Sequence, residues 1–193
     1  MVFSSAPAKT EMVDPAAGPF LFDTSAESWL LQNRVPAFRE WITIYLRHYP
    51  VHVSAITVLE RIRGYALLWH AAEPSRREHI ESARVAYLQA LGKVHPADAG
   101  VAVIAAEIMA LLPQPPTPPR KAHRLTESRQ ERLARWRFDA VIAATALAAR
   151  LLLIHNDPAD FETIRGAIER NPERFPELGP LQLTRCASVV LPS

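Results

Sequence analysis

The run Phe138–Phe161, FDAVIAATALAARLLLIHNDPADF, limits the folds open to this chain more than any other stretch. From Ala140 to Ala149 it is almost all alanine with Val, Ile, Thr and Leu. A helix this apolar on every side belongs inside a protein, and its small side chains let neighbouring backbones come close. Leu151–Ile154 follows as a short continuous apolar run, as expected for a strand covered on both faces in a parallel sheet. A buried helix feeding straight into such a strand is half of a βαβ unit, so the chain reads as α/β with a central parallel sheet flanked by helices. Two acids stand out by position. Asp139 leads into the apolar helix, and Asp157 lies just past the carboxyl end of the strand, where open α/β sheets place their ligands.

Upstream, the same corner recurs twice. Pro19–Asp23 (PFLFD) reads as a first strand ending in an acid, and Thr24–Glu27 has the T-x-x-E spacing of a capping box that would open a helix at once. Phe38, Trp41, Ile42, Tyr45 and Leu46 predict a helix over 36–47, broken by Pro50. Val51–Ile56 is the second expected strand; Thr57–Glu60 repeats T-x-x-E and opens a helix that ends at Pro74. An amphipathic helix over 75–91 should stop at Gly92, before a short edge strand at Val94–His95 and an alanine-rich helix over 97–112. A helix resumes at Thr126 and runs into the opening stretch, a short one covers Phe161 to Ile168, and 181–183 or 187–191 supplies a last strand or tail.

With 193 residues the chain has room for one substantial domain, assigned to 19–193, behind a flexible leader over 1–18. Five prolines in Pro113–Pro119 and the basic residues after them mark an insertion at about 113–130. Composition, 49% hydrophobic and 22% charged, is that of a folded protein and excludes a disordered chain. The lone Cys186 is expected to be a packed residue, which fits a reducing compartment. No apolar run approaches the roughly 20 residues of a membrane span and no signal pattern opens the chain, so a cytoplasmic protein is expected. Net charge is +2 overall, yet Arg120–Arg137 holds seven basic and two acidic residues, +5, which leaves −3 for the rest. That concentration suits a polyanionic partner, with Arg124, Arg129 and Arg132 as candidate contacts, although a solvated helix face has the same appearance.

Lining up these elements brings Asp23, Glu60, Asp139 and Asp157, with Asp160 close behind, to strand ends or the first turns of adjacent helices. Carboxylates without His or Cys partners are what Mg²⁺ or Mn²⁺ prefers. A site of that kind can activate water and stabilise a phosphodiester under displacement. Plainer roles exist for several of them. Glu60 could close a capping box with Thr57; Asp157 before Pro158 could be an N-cap, with Asp160 at N3. Asp139 has no capping role in a helix that began near Thr126, and burying it uncompensated is costly.

FLFDTS at 20–25, SAITVLERIRG at 54–64, DAVIAATALAARLLLIHND at 139–157 and PADF at 158–161 resemble, in order and spacing, the PIN-domain ribonucleases, and among them the VapC toxins of toxin-antitoxin pairs. The resemblance implies a three-layer α/β/α sandwich that cuts RNA with Mg²⁺ or Mn²⁺. It implies Asp23, Glu60 and Asp139 as the shared metal-binding acids, Asp157 at the fourth and more variable position, and Asp160 as the acid of the D-F pair. Thr24 or Ser25 matches the hydroxyl beside the first acid. The expected partners are an RNA substrate and a small antitoxin protein, with a homodimer admitted and no membrane. Alternatives are a nonenzymatic PIN-fold module that binds RNA or protein, and a chromosomal RNA-processing nuclease without an antitoxin.

Overall fold

The computed structural model describes residues 13–32, 36–116, 121–122, 125–157, 159–186 and 189. In chain order its elements are β1 (Phe20–Phe22), α1 (Thr24–Gln32), α2 (Pro36–His48), β2 (His52–Ser54), α3 (Ala55–Ala71), α4 (Pro74–Gln89), β3 (Lys93–His95), α5 (Ala99–Leu111), β4 (Lys121–Ala122), β5 (Leu125–Thr126), α6 (Arg129–Ala149), β6 (Leu152–His155), α7 (Asp160–Glu169) and β7 (Leu183–Arg185). Five strands form one parallel sheet in the order β3-β2-β1-β6-β7. The chain starts in the middle, builds out through β2 to β3, and then returns to the other side of β1. Strand order therefore reverses beside β1, and the crevice past the carboxyl ends of β1 and β6 is where such a sheet binds ligands.

Side chains alternate across the strands and set up the layers. Leu21 and Leu153 are buried on one face against α5, α6 and α7, among Ile108, Trp136, Ile142 and Phe161. Phe20, Phe22 and Ile154 are buried on the other against α2, where Phe38, Trp41 and Tyr45 stack with ring planes within 8° of parallel. The α/β/α sandwich expected from the sequence is the observed architecture, with the α3–α4 hairpin beside it. Arg150 closes the helix-to-strand corner of the opening stretch in a left-handed conformation, φ 53°, which brings Leu151 N to Ala146 O at 2.9 Å and starts β6 one residue later.

Several local expectations are corrected. Neither T-x-x-E run is a capping box. Asp23 caps α1, accepting from Ala26 N at 2.6 Å, and Ser54 caps α3, accepting from Ile56 N at 3.3 Å. Thr57 is fully buried and its hydroxyl has no hydrogen-bond partner among the described residues. The box that does form is Ser128–Glu131 at the start of α6, unnoticed in the sequence although it reads S-x-x-E. Helix α4 ends at Gln89, before Gly92. That glycine is needed because a Cβ there would collide with the carbonyl oxygen of Val51. The last strand is Leu183–Arg185 alone, with 187–188 and 190–193 outside the described residues. Part of the expected leader is packed: Trp41 Nε1 donates to Val13 O at 2.6 Å, Tyr49 Oη donates to Ala16 O at 2.9 Å, and Asp14 caps a short 3-10 turn. Residues 1–12 lie outside the described residues. Within the basic insertion β4 and β5 pair as an antiparallel hairpin that no sequence pattern announced.

Candidate metal centre

Asp23 is placed by three local interactions. Its amide donates to Ile154 O at 3.0 Å, fixing it to β6; its carboxylate caps α1; and Ser25 Oγ donates to that carboxylate, 2.8 and 2.9 Å from its two oxygens. Ser25 Oγ also accepts from Asn156 N at 3.1 Å, so one hydroxyl ties the end of β1 to the end of β6. Asp23 is only 4% exposed. Burial pushes its pKa up to about 7; the Ala26 amide and Ser25 pull it back, and the charges of Glu60 and Asp157 add to the rise.

Glu60 lies in the second turn of α3, past the capping positions, and accepts a short hydrogen bond from Thr24 Oγ1. The capping reading of Glu60 is therefore not what the fold uses. Asp139 sits in the middle of α6, with Oδ2 sealed from solvent and without a hydrogen-bond partner among the described residues. Burial holds its carboxyl well above the usual range, and the fields of Asp160, Asp23, Glu60 and Asp157 raise it further. Asp157 Oδ1 accepts from the amides of Ala159 at 3.2 Å and Asp160 at 3.4 Å, but α7 begins at Asp160 with Ala159 at its N-cap, so Asp157 is not the N-cap expected and Asp160 stands at N1 and not at N3. Its carbonyl accepts from Nδ1 of His155, 2.6 Å away, a fully buried ring that burial keeps neutral with a pKa of about 4. Sequence reading passed over His155 and Arg135. Only Arg135 had a usable signal, its place four residues before Asp139 on the same helix face.

Asp160, expected as a ligand, is 1% exposed and accepts from Arg135 at 2.6 Å. Of the arginines expected on RNA, Arg129 is exposed, Arg132 is half-buried and Arg124 lies outside the described residues. Arg135, from the same basic run, is turned inward. Cys186 is buried, as expected, and burial pushes its thiol pKa up.

The five acids thus share one electrostatic neighbourhood at the carboxyl edge of the sheet. Among the described residues no three His, Cys, Asp or Glu side chains form a ready-made ligand set. Carboxylates without a counter-ion repel one another. Their chemistry nevertheless fits a hard divalent cation: the donors are all oxygens, two of them, Asp139 Oδ2 and Asp160 Oδ1, buried without a hydrogen-bond partner among the described residues, and proton affinity is raised where negative charge is crowded.

A parallel sheet with carboxylates gathered beyond β1 and β6 at its reversal point defines an α/β protein with a ligand site of oxygen donors at that edge. The chain belongs to the PIN domain family, which it matches over residues 20–167, a family of nucleases that generally use divalent metal ions. Its fold is similar to that of DNA-bound VapBC from Salmonella typhimurium, at 18% identity and a TM-score of 0.50, covering 86% of this chain and 97% of that one. VapBC-1 from nontypeable Haemophilus influenzae is similar at 17% identity and a TM-score of 0.51, with 87% and 98% covered. FitAcB from Neisseria gonorrhoeae is similar at 24% identity and a TM-score of 0.52, with 76% and 93% covered. No curated protein sequence matches the chain. Among the described residues no helix is long and apolar enough to cross a membrane.

Proposed function

We propose that this protein is a Mg²⁺- or Mn²⁺-dependent endoribonuclease and the toxin of a toxin-antitoxin pair. The observation that carries the nuclease reading is Asp139, an acid in mid-helix whose Oδ2 is shut off from solvent, meets no donor among the described residues, and stands in the field of four other carboxylates. A desolvated carboxylate among like charges is costly, and a bound cation offsets that cost. Asp23, Glu60, Asp139 and Asp157 are assigned to hold the ion. It would supply Lewis acidity toward a phosphodiester and lower the proton affinity of water. The chain's other groups position these ligands: Ser25 and the Ala26 amide hold Asp23, Thr24 holds Glu60, and the Ala159 and Asp160 amides hold Asp157. Arg129 and Arg132, with Arg124, are assigned to the RNA backbone, where arginine contacts position a strand without reading its sequence.

The toxin role rests on the likeness in fold to VapBC and FitAcB. It gains support from an apolar groove of about 590 Å³ between α1, α2, α3 and α4, lined by Leu30, Leu46, Tyr65, Ala86, Tyr87 and Leu91. Leu46 is 53% exposed there, a surface that an apolar segment of a small antitoxin would cover. The test of the enzyme is cleavage of single-stranded RNA by EDTA-stripped protein, with and without added Mn²⁺. Cleavage only with metal, and none by Asp23→Asn, is the expected result. RNA binding without any cleavage would make the protein a binding module instead.

A further inference from the structure

Arg135 stands one helical turn before Asp139 on α6, so the two side chains share a face. Through Nη1 it donates to Asp160 Oδ2 at 2.6 Å, while Asp160 Oδ1 is buried with no hydrogen-bond partner among the described residues; through Nε and Nη2 it grips both oxygens of Glu127, each at 3.1 Å. Side-chain exposure is 14% for Arg135, 13% for Glu127 and 1% for Asp160. This is an ion triad largely out of water, a setting in which losing one partner leaves an uncompensated charge. The amide of Asp160 is also one of the two that hold Asp157 Oδ1. A continuous path of polar interactions therefore runs from α6 through Arg135 and Asp160 to the carboxylate of Asp157. The triad keeps one net negative charge, and the fields of both Arg135 and Asp160 reach Asp139.

Resting on the nuclease reading above, we infer that Arg135 is a positioning residue for the metal centre: it takes Asp160 out of the ligand set and uses it as the anchor that aims Asp157 at the cation. The bidentate grip on Glu127 holds the guanidinium still, which a lysine could reproduce only in part. The test is calorimetric titration of the EDTA-stripped full chain with Mn²⁺, run beside thermal melts, for wild type, Arg135→Gln, Arg135→Lys, Asp160→Asn and the Arg135→Gln/Asp160→Asn double variant. Arg135→Gln and Asp160→Asn should each weaken Mn²⁺ binding by about 10- to 100-fold, the usual effect of losing a group that orients a ligand. The double variant should be little worse than either, because both changes cut one path, and Arg135→Lys should recover part of the affinity. Asp160→Asn costing far more than Arg135→Gln, with losses that multiply in the double variant, would make Asp160 a ligand and overturn the inference. So would a lowered melting temperature in Arg135→Gln with unchanged Mn²⁺ affinity, which would leave Arg135 a purely structural part. If the wild type takes up no Mn²⁺, it is the nuclease reading that fails, and this inference goes with it.

Discussion

Asp139 and Asp23 are held where a carboxylate is least comfortable, and that discomfort has a measurable sign. Between the ordinary aspartate value near 3.8 and about 7, the folded protein keeps a proton on Asp23 that the unfolded chain releases, so metal-free stability falls as pH rises through that window. Asp139, raised well above the usual range, acts in the same direction. His155 opposes them between about 4 and 6.5, because there the unfolded chain binds a proton that the buried ring does not, and stability rises with pH. Above pH 6.5 the carboxylates act alone. Melting temperatures of EDTA-treated protein should therefore decline from pH 6.5 to 8, and Asp139→Asn should melt higher than wild type at pH 8 and show a flatter decline. Glu60→Gln separates its two roles in the same way. Since Ser54 and not Glu60 caps α3, the variant should lose metal-dependent cleavage and keep its stability within about 0.5 kcal/mol, measured by urea unfolding.

At the scale of the element, four S/T-x-x-E runs, beginning at Thr24, Thr57, Ser75 and Ser128, look alike in sequence, and only the last is a box. Ser128→Ala should cost about 1 kcal/mol of unfolding free energy, as loss of an N-cap does. Thr57→Val should cost nothing or stabilise, because it removes a buried hydroxyl with no partner among the described residues and keeps the side-chain shape. Denaturant melts of the two variants check both. The strands and buried helices were legible because their signal is local: continuous apolar runs for β1 and β6, alanine for the inner part of α6. The caps were not, because the start of each helix is set by where the preceding strand leaves the sheet. Asp23 and Ser54 fall at that exit, one residue earlier than Thr24 and three earlier than Thr57. The acids were legible as positions on strand ends and helices. Their holders were not, because Ser25 and Asn156 meet across 131 residues and Arg135 and Asp160 across 25.

For the molecule as a whole, the basic run divides into an inward arginine paired with Asp160 and Glu127 and others proposed to meet RNA. Arg129→Gln together with Arg132→Gln should weaken binding of unrelated single-stranded RNAs alike, and lower the salt slope of affinity by roughly 0.7 for each phosphate no longer neutralised. The cleavage pattern should not change, since arginine–phosphate pairing carries no sequence information. Unchanged RNA affinity with loss of antitoxin binding would instead make this face a protein-docking surface. The central claim is that the crowded carboxylates beyond β1 and β6 exist to hold a divalent cation. Its most direct test is the melting temperature of EDTA-stripped protein at pH 8, with and without Mn²⁺, for wild type and Asp139→Asn. A marked rise with Mn²⁺ in the wild type, absent in Asp139→Asn, is the predicted result. Equal shifts in both proteins, or no shift in either, would contradict it.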